Sequence, residues 1–178
     1  MKSARPKALH EIAGKSMLGH VLAAVAAAGA QDLALVVGPD RDDVAAEARK
    51  FVPGASIFVQ SQRRGTAHAV LAARAAIASG YDDILIAYAD IPLLRAQTLA
   101  ALLDAVGQGA AVAALGFVAQ DPAGYGRLIE RDGKIVAIRE HKDASEAERK
   151  IGLSLKAFAD AEERGRLDEY QKRLGLAS

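Results

Sequence analysis

The sequence predicts an α/β fold, a mainly parallel sheet with helices on both faces plus a small β-hairpin region. Helix-type and strand-type segments alternate along residues 16–118, which favours parallel strands joined by right-handed crossovers. Residues 84–87 are four apolar residues after two aspartates, typical of a strand buried on both faces. Asp132-Gly133 separates two short strand patterns and is a strong hairpin signal.

Capping and turn residues mark the first half of this alternation. Residues 1–15 are expected to form a basic, irregular lead, and Ser16 is expected to cap the first helix. A strand is predicted over 32–37, where apolar residues precede a Gly-Pro turn. Asp40 is expected to cap a second helix, and residues 56–59 form a second strand.

The second half continues the same alternation. Thr66 opens an Ala-rich helix that Gly80 closes, and the apolar run at 84–87 supplies the central strand. A helix follows, with apolar residues at the helical spacing of Leu99, Leu102, Leu103 and Val106. Residues 110–118 are predicted to form another strand. Beyond the hairpin, the sequence predicts a short helix over 144–150 and a helical tail of unknown role over 154–178.

The composition narrows the possible functions. The chain has 178 residues and a formal net charge of +1, so no overall field draws it to nucleic acid. It has no cysteine, which excludes a disulfide framework and a thiolate metal site. No apolar run is long enough to span a membrane, and the basic start lacks the apolar core of a signal peptide. We therefore expect a cytoplasmic protein without a nucleic acid or membrane partner.

Asp90 is the first candidate site residue. It follows the central strand directly, and Pro92 stops that strand. Ligands of open α/β sheets bind at the carboxyl ends of the strands, where a carboxylate is a good magnesium ligand that can share the ion with a diphosphate. The alternative is that Asp90 caps the turn into the next helix.

Two further segments carry residues suited to a nucleotide. Lys7, directly after a proline, is held where it can contact a phosphate oxygen; the alternative is a solvated basic lead. Gln60 follows a strand, so its amide can pair with the edge of a base, and Gly65 lets the backbone approach a flat ring. Thr66 begins a helix whose amides point outward; the alternative is an ordinary loop with a threonine cap. His68 is interpreted as a helix-surface or packing residue.

The hairpin region offers two more candidates. Gly124-Tyr125-Gly126-Arg127 places two glycines around an aromatic ring and can present backbone amides to a sugar; the alternative is a turn before the hairpin. Glu140 follows a strand and can accept hydrogen bonds from sugar hydroxyls; the alternative is a surface charge.

The order of these motifs is more specific than any one of them. Pro-Lys-x-Leu-His, Gln-x-x-x-x-Gly-Thr-x-His-Ala, Tyr-x-Asp-x-Pro-Leu, Gly-Tyr-Gly-Arg and Glu-His-Lys-Asp-Ala follow one another over residues 6–144. The chain thereby resembles the uridylyltransferase domain of the bacterial bifunctional N-acetylglucosamine-1-phosphate uridylyltransferase / glucosamine-1-phosphate acetyltransferase. The likeness covers about residues 1–153 and implies a Rossmann-like fold of the nucleotide-diphospho-sugar transferase type.

The resemblance implies roles for matching positions. Lys7 and Asp90 would be catalytic, Lys7 by contacting phosphate and Asp90 by binding Mg²⁺. The implied substrate contacts are Gln60, Gly65 and Thr66 at the uracil, Tyr88 and Ala89 beside the nucleotide sugar, and Gly126 and Glu140 at the N-acetylglucosamine moiety. The family usually has glycine at the place of Ala89, where a methyl group would narrow the approach to the ligand.

The implied reaction is uridylyl transfer from UTP to N-acetylglucosamine 1-phosphate, a step toward cell-wall peptidoglycan. The expected domains are a nucleotidyltransferase domain over 1–153 and the tail over 154–178. The family's glycine-rich phosphate loop would precede Met1, and its later metal-binding asparagine has no counterpart, since the sequence contains no asparagine. We therefore expect weak catalysis by the chain as written. The alternatives are a non-catalytic nucleotide-sugar-binding remnant and transfer to another sugar phosphate; the oligomeric state stays open.

Overall fold

The computed structural model describes residues 5–62, 64–118, 121, 123–131, 134–139, 143 and 145. The chain divides into two compact units, Met1–Asp104 and Ala105–Ser178. No helix in the described parts of the chain is both long and apolar enough to cross a membrane.

Residues 5–15, the described part of the lead, are structured, which corrects the expectation of an irregular segment there. A 3-10 helix, Lys7–Leu9, is followed by a two-residue hairpin of strands β1 (Glu11–Ile12) and β2 (Lys15–Ser16). Ala13 and Gly14 form its turn with φ of 51° and 77°, the positive values that a tight two-residue hairpin needs. Leu9 is buried in the core and anchors the lead, a tertiary contact that local charge patterning did not reveal.

Helix α1 (Met17–Ala27) begins as predicted, because the Ser16 hydroxyl accepts a hydrogen bond of 3.0 Å from the Gly19 amide. Helix α2 (Asp42–Phe51) departs from prediction at its start, since Arg41 and not Asp40 is the N-cap. Asp40 has a φ of 56° and lies in the turn before the helix. No side chain caps α2, but Asp42 and Asp43 in its first turn place negative charge at the positive end of the helix dipole, which stabilises the start of the helix.

Strands β3 (Ala34–Val37) and β4 (Ser56–Val59) pair in parallel, with Ala34 opposite Ser56 and Val37 opposite Val59. Helix α2 connects them, so this is the strand–helix–strand unit that the sequence predicted, and the α/β class is confirmed. Both strands contribute to one apolar core with α1, α2 and the lead. Its buried residues are Leu9, Leu18, Leu22, Leu35, Val37, Val44 and Ala48.

Within the described residues, three further helices follow β4. They are α3 (Thr66–Ala72), α4 (Arg74–Ile77) and α5 (Ala96–Gly107). The single helix expected between Thr66 and Gly80 is therefore two short helices that meet at Ala73, whose φ of −91° and ψ of 20° depart from helical geometry. Ala73 itself is buried.

The central strand predicted after Asp83 is wrong in this structure. Among the described residues no strand pairs with this segment, and Ile84 and Ile86 are 45% and 57% exposed. The segment alternates between exposed and half-buried residues and ends with Ala89 packed against the core. The apolar run signals burial, but a strand also needs a partner for its ladder. The strand predicted over 110–118 is absent for the same reason, and Val112 and Val118 are exposed.

The second unit contains the predicted hairpin. Strands β5 (Arg127–Arg131) and β6 (Lys134–Arg139) are antiparallel, with Leu128 opposite Ile138 and an irregularity after Ile129. The Asp132-Gly133 turn, Glu140, most of the helix expected over 144–150 and the tail over 154–178 lie outside the described residues. The predicted domain boundary after residue 153 lies there too and stays a prediction.

Candidate functional site

The candidate site of the first unit begins at the carboxyl ends of β3 and β4. The backbone amide of Gln60 donates a hydrogen bond of 2.8 Å to the Val37 carbonyl, which extends the parallel ladder by one step beyond β4. Gln60 therefore leaves the sheet at the edge where α/β proteins bind ligands.

The Gln60 side chain turns toward the start of α3. Its Nε2 donates to the Gly65 carbonyl at 3.2 Å and lies 3.1 Å from Nδ1 of His68. Gly65 has a φ of 97°, a backbone conformation that only glycine adopts readily, and it is the N-cap of α3. The structure thus brings Gln60, Gly65 and His68 together around one amide group.

Thr66 is the first residue of α3, and its side chain makes no capping hydrogen bond. Its hydroxyl lies 3.1 Å from the Tyr88 hydroxyl, within hydrogen-bonding distance. The alternative interpretation of Thr66 as a simple helix cap is therefore wrong. Tyr88 is 57% exposed, so its ring stands in solvent beside the start of α3.

Asp90 follows in a turn and is exposed. Within the described residues, no hydrogen bond or ion pair engages its carboxylate. It does not cap the next helix, because α5 begins only at Ala96. Ala89 packs against the core, which holds the backbone beside Asp90 in place while leaving the carboxylate in water. An exposed carboxylate of this kind is free to share a cation with a bound phosphate.

Lys7 is exposed, but its backbone is fixed. The His10 amide donates to the Lys7 carbonyl at 3.0 Å, and the Leu9 amide donates to Pro6 at the same distance. Ala8 packs against the same core cluster as Ala89. The ammonium group therefore extends from an anchored turn, and the alternative of a merely solvated lead does not describe its backbone.

The second unit holds Gly126 in a small cleft of its own. A Cβ at Gly126 would lie 3.1 Å from the Arg139 carbonyl oxygen, so a side chain there would force β6 to shift. The buried guanidinium of Arg127 donates to the Tyr125 carbonyl at 2.6 Å, and the Tyr125 ring meets Phe117 edge to face. Glu140, the other predicted sugar contact, lies outside the described residues.

His68 is the residue that sequence analysis missed. The sequence predicts a helix-surface or packing residue, and the structure specifies the packing partner, because its ring contacts the Gln60 side-chain amide. Its position three residues after Gly65, one turn into a helix that starts beside Gln60, was the available signal. No group of three metal-ligating side chains occurs in the described residues, so any cation here would rely on ligand oxygens as well.

A strand–helix–strand unit with polar groups at its carboxyl edge has the form of a nucleotide-binding α/β domain. The chain belongs to the MobA-like NTP transferase domain family, whose profile matches residues 1–151. The sequence resemblance to a nucleotidyltransferase is thereby confirmed at the level of the family.

Several bacterial proteins are similar to this chain. It is 60% identical over 151 residues to the Bifunctional protein GlmU of Xanthobacter autotrophicus, covering 85% of this chain and 34% of that protein. It is 56% identical over 153 residues to the protein of that name from Bradyrhizobium diazoefficiens, covering 86% and 34%. With that from Agrobacterium fabrum it shares 51% identity over 151 residues, covering 85% and 33%. The chain thus spans about a third of the length of these curated relatives.

Proposed function

We propose that this domain transfers a uridylyl group from UTP to N-acetylglucosamine 1-phosphate, producing UDP-N-acetylglucosamine and diphosphate. The observation that carries the proposal is the placement of Gln60, Gly65, Thr66 and Tyr88 around the start of α3, at the edge where β3 and β4 end. Membership of the NTP transferase family and the ordered motifs support the same reaction.

In the proposed reaction, a phosphate oxygen of the sugar phosphate attacks the α-phosphorus of UTP in line. A new oxygen–phosphorus bond forms as the bond to the leaving diphosphate breaks. Because little covalent chemistry falls to the protein in such a transfer, its residues position the reactants and offset charge. Lys7 would place an ammonium group beside the phosphates, and Gln60 with the Gly65 backbone would orient the uracil.

The proposed cation is Mg²⁺, held by the Asp90 carboxylate together with substrate phosphates and water. The donor set fits, because magnesium in nucleotide sites is commonly bound by one or two carboxylates plus phosphate oxygens. When bound, the ion would neutralise charge that accumulates on the leaving diphosphate. Gly126 and Glu140 are proposed contacts of the N-acetylglucosamine moiety. Since nucleotides and sugar phosphates do not cross a bilayer, the proposal places the reaction in the cytoplasm.

A diphosphate-release assay tests the proposal. The chain is given UTP or CTP with a panel of sugar 1-phosphates and Mg²⁺, and diphosphate is measured through inorganic pyrophosphatase. Release that requires UTP and N-acetylglucosamine 1-phosphate together supports the proposal. Release with a different sugar phosphate would instead favour the alternative substrate, and tight UDP-N-acetylglucosamine binding without release would favour a binding role.

A further inference from the structure

We infer that His68 is a positioning residue that fixes the orientation of the Gln60 amide and thereby makes the site select a base with a ring N–H. The inference deepens the proposed function and rests on it, because Gln60 must face the base. It concerns a residue that need not touch the nucleotide at all.

The first step is the contact between Gln60 and Gly65. Nε2 of Gln60 lies 3.2 Å from the Gly65 carbonyl oxygen, which can only accept a hydrogen bond. Rotating the amide by 180° would place the Gln60 oxygen against that carbonyl oxygen and set two acceptors in contact. The Gly65 carbonyl therefore requires the nitrogen of the amide on its side.

The second step concerns the protonation of His68. The same Nε2 lies 3.1 Å from Nδ1 of His68, and the second N–H of the amide is available for it. Because the amide nitrogen is a donor only, Nδ1 must be the acceptor. A neutral imidazole with an unprotonated Nδ1 carries its proton on Nε2, so the geometry specifies one tautomer of His68.

The third step concerns which hydrogen-bonding group of Gln60 remains available to a ligand. With both N–H groups of the amide engaged, Gln60 can offer only its Oε1, which has no hydrogen bond within the described residues. An acceptor suits the N3–H of uracil. The N3 of cytosine carries a lone pair, which would face the Oε1 lone pairs and be repelled. Gln60 therefore has no N–H left to donate to a uracil carbonyl as well.

Removing the acceptor at position 68 should leave the second N–H of the Gln60 amide without its partner. In His68→Leu the amide keeps its hydrogen bond to the Gly65 carbonyl but its second N–H loses the acceptor, so Nε2 can donate that N–H to the cytosine N3. In His68→Asn the side-chain carbonyl lies near the place of Nδ1 and can accept from Gln60 again. We expect the ratio of UDP to CDP affinity to fall about five- to tenfold in His68→Leu and to recover in His68→Asn.

The experiment combines calorimetry with NMR on the whole chain. Affinities for UDP and CDP are measured for the parent chain, the two His68 variants and His20→Leu, a control histidine whose ring contacts the Ile12 carbonyl. The ring nitrogens of His68 are assigned by ¹⁵N chemical shifts. We expect protonated Nε2, unprotonated Nδ1 and an unchanged affinity ratio in the control.

Protonation of His68 on Nδ1 alone would overturn the inference, as would an unchanged affinity ratio in His68→Leu while the parent prefers UDP. In that second case the proposed function would stand without the role of His68. If the parent chain bound neither UDP nor CDP, base selection by His68 and the proposed function would fall together.

Discussion

The hydroxyl of Tyr88 lies 3.1 Å from the hydroxyl of Thr66, joining two segments that are 22 residues apart in the sequence. The contact holds the exposed tyrosine ring against the first residue of α3. It is therefore the link between the end of the apolar run and the loop that carries Gln60 and Gly65.

Tyr88→Phe and Thr66→Val should show energetic coupling. Each removes one hydroxyl of a single hydrogen bond, so the double variant should lose less stability than the sum of the single variants, by roughly 0.5–1 kcal/mol. Urea unfolding of the parent chain and the three variants measures this coupling. Strictly additive losses would show that the two hydroxyls do not stabilise each other in solution.

Asp90→Asn should abolish the magnesium dependence of nucleotide-sugar binding. The amide keeps the shape of the side chain but lacks the negative charge that attracts a divalent cation. Calorimetry with UDP-N-acetylglucosamine, with and without Mg²⁺, measures the effect. Asp104→Asn is the matched control, since Asp104 lies exposed on α5. An unaltered magnesium dependence in Asp90→Asn would remove Asp90 from the proposed site.

Gln60→Ala should reduce the preference for uracil over cytosine. It deletes the acceptor that is proposed to face the uracil N3–H, and the loss of such a hydrogen bond costs about 1–3 kcal/mol when the partner is left unsatisfied. Binding of UDP and CDP to the parent and the variant gives the two affinity ratios. Equal ratios would contradict the assignment of Gln60 to the base.

Glu47 should make stability sensitive to acid. Hydrogen bonds from Lys50 and then from Ser16 lower the pKa of Glu47 from its ordinary value of 4.5. A carboxylate whose pKa is lower in the folded state stabilises the protein above the unfolded-state pKa, and this stability is lost as the pH falls through the folded-state pKa. The stability advantage of the parent chain over Glu47→Gln should therefore be complete above about pH 5 and shrink below it.

Chemical denaturation between about pH 3 and pH 7 measures this difference. The Ser16 hydroxyl that donates to Glu47 also accepts the hydrogen bond that caps α1, so the contact links Glu47 to the start of that helix. Parallel curves for the parent and Glu47→Gln across the whole range would refute the prediction.

Gly19→Ala should stabilise the protein only when Phe51 is shortened. A Cβ at Gly19 would overlap the Phe51 ring, whereas alanine has a higher helix propensity than glycine. In a Phe51→Ala background the helix preference remains without the overlap, since the flexible Lys15 chain can move aside. Thermal or urea unfolding of the parent chain and the three variants measures the effect, and equal effects of Gly19→Ala in both backgrounds would contradict the prediction.

Local signals predicted several elements correctly. Ser16 was recognised as a cap because its hydroxyl acts on the amide three residues ahead, a contact within one turn of helix. The parallel pairing of β3 and β4 followed from two apolar strands separated by an amphipathic helix. The residues of their own segments made candidates of Lys7, Gln60, Gly65, Thr66 and Asp90, whereas Tyr88 was implied only by the resemblance that the motif order carries.

What the sequence by itself determined is therefore the α/β class, the nucleotidyltransferase family and most helix and strand positions, because these depend on short-range periodicity, capping and motif order. Only the tertiary structure decided that Leu9 anchors the lead, that residues 84–88 form no ladder with another described strand, and that His68 meets the Gln60 amide. Each of these depends on which groups face each other across segments distant in sequence. Hydropathy records how much a residue gains from burial, but not which partner is close enough to bury it or to accept its hydrogen bond.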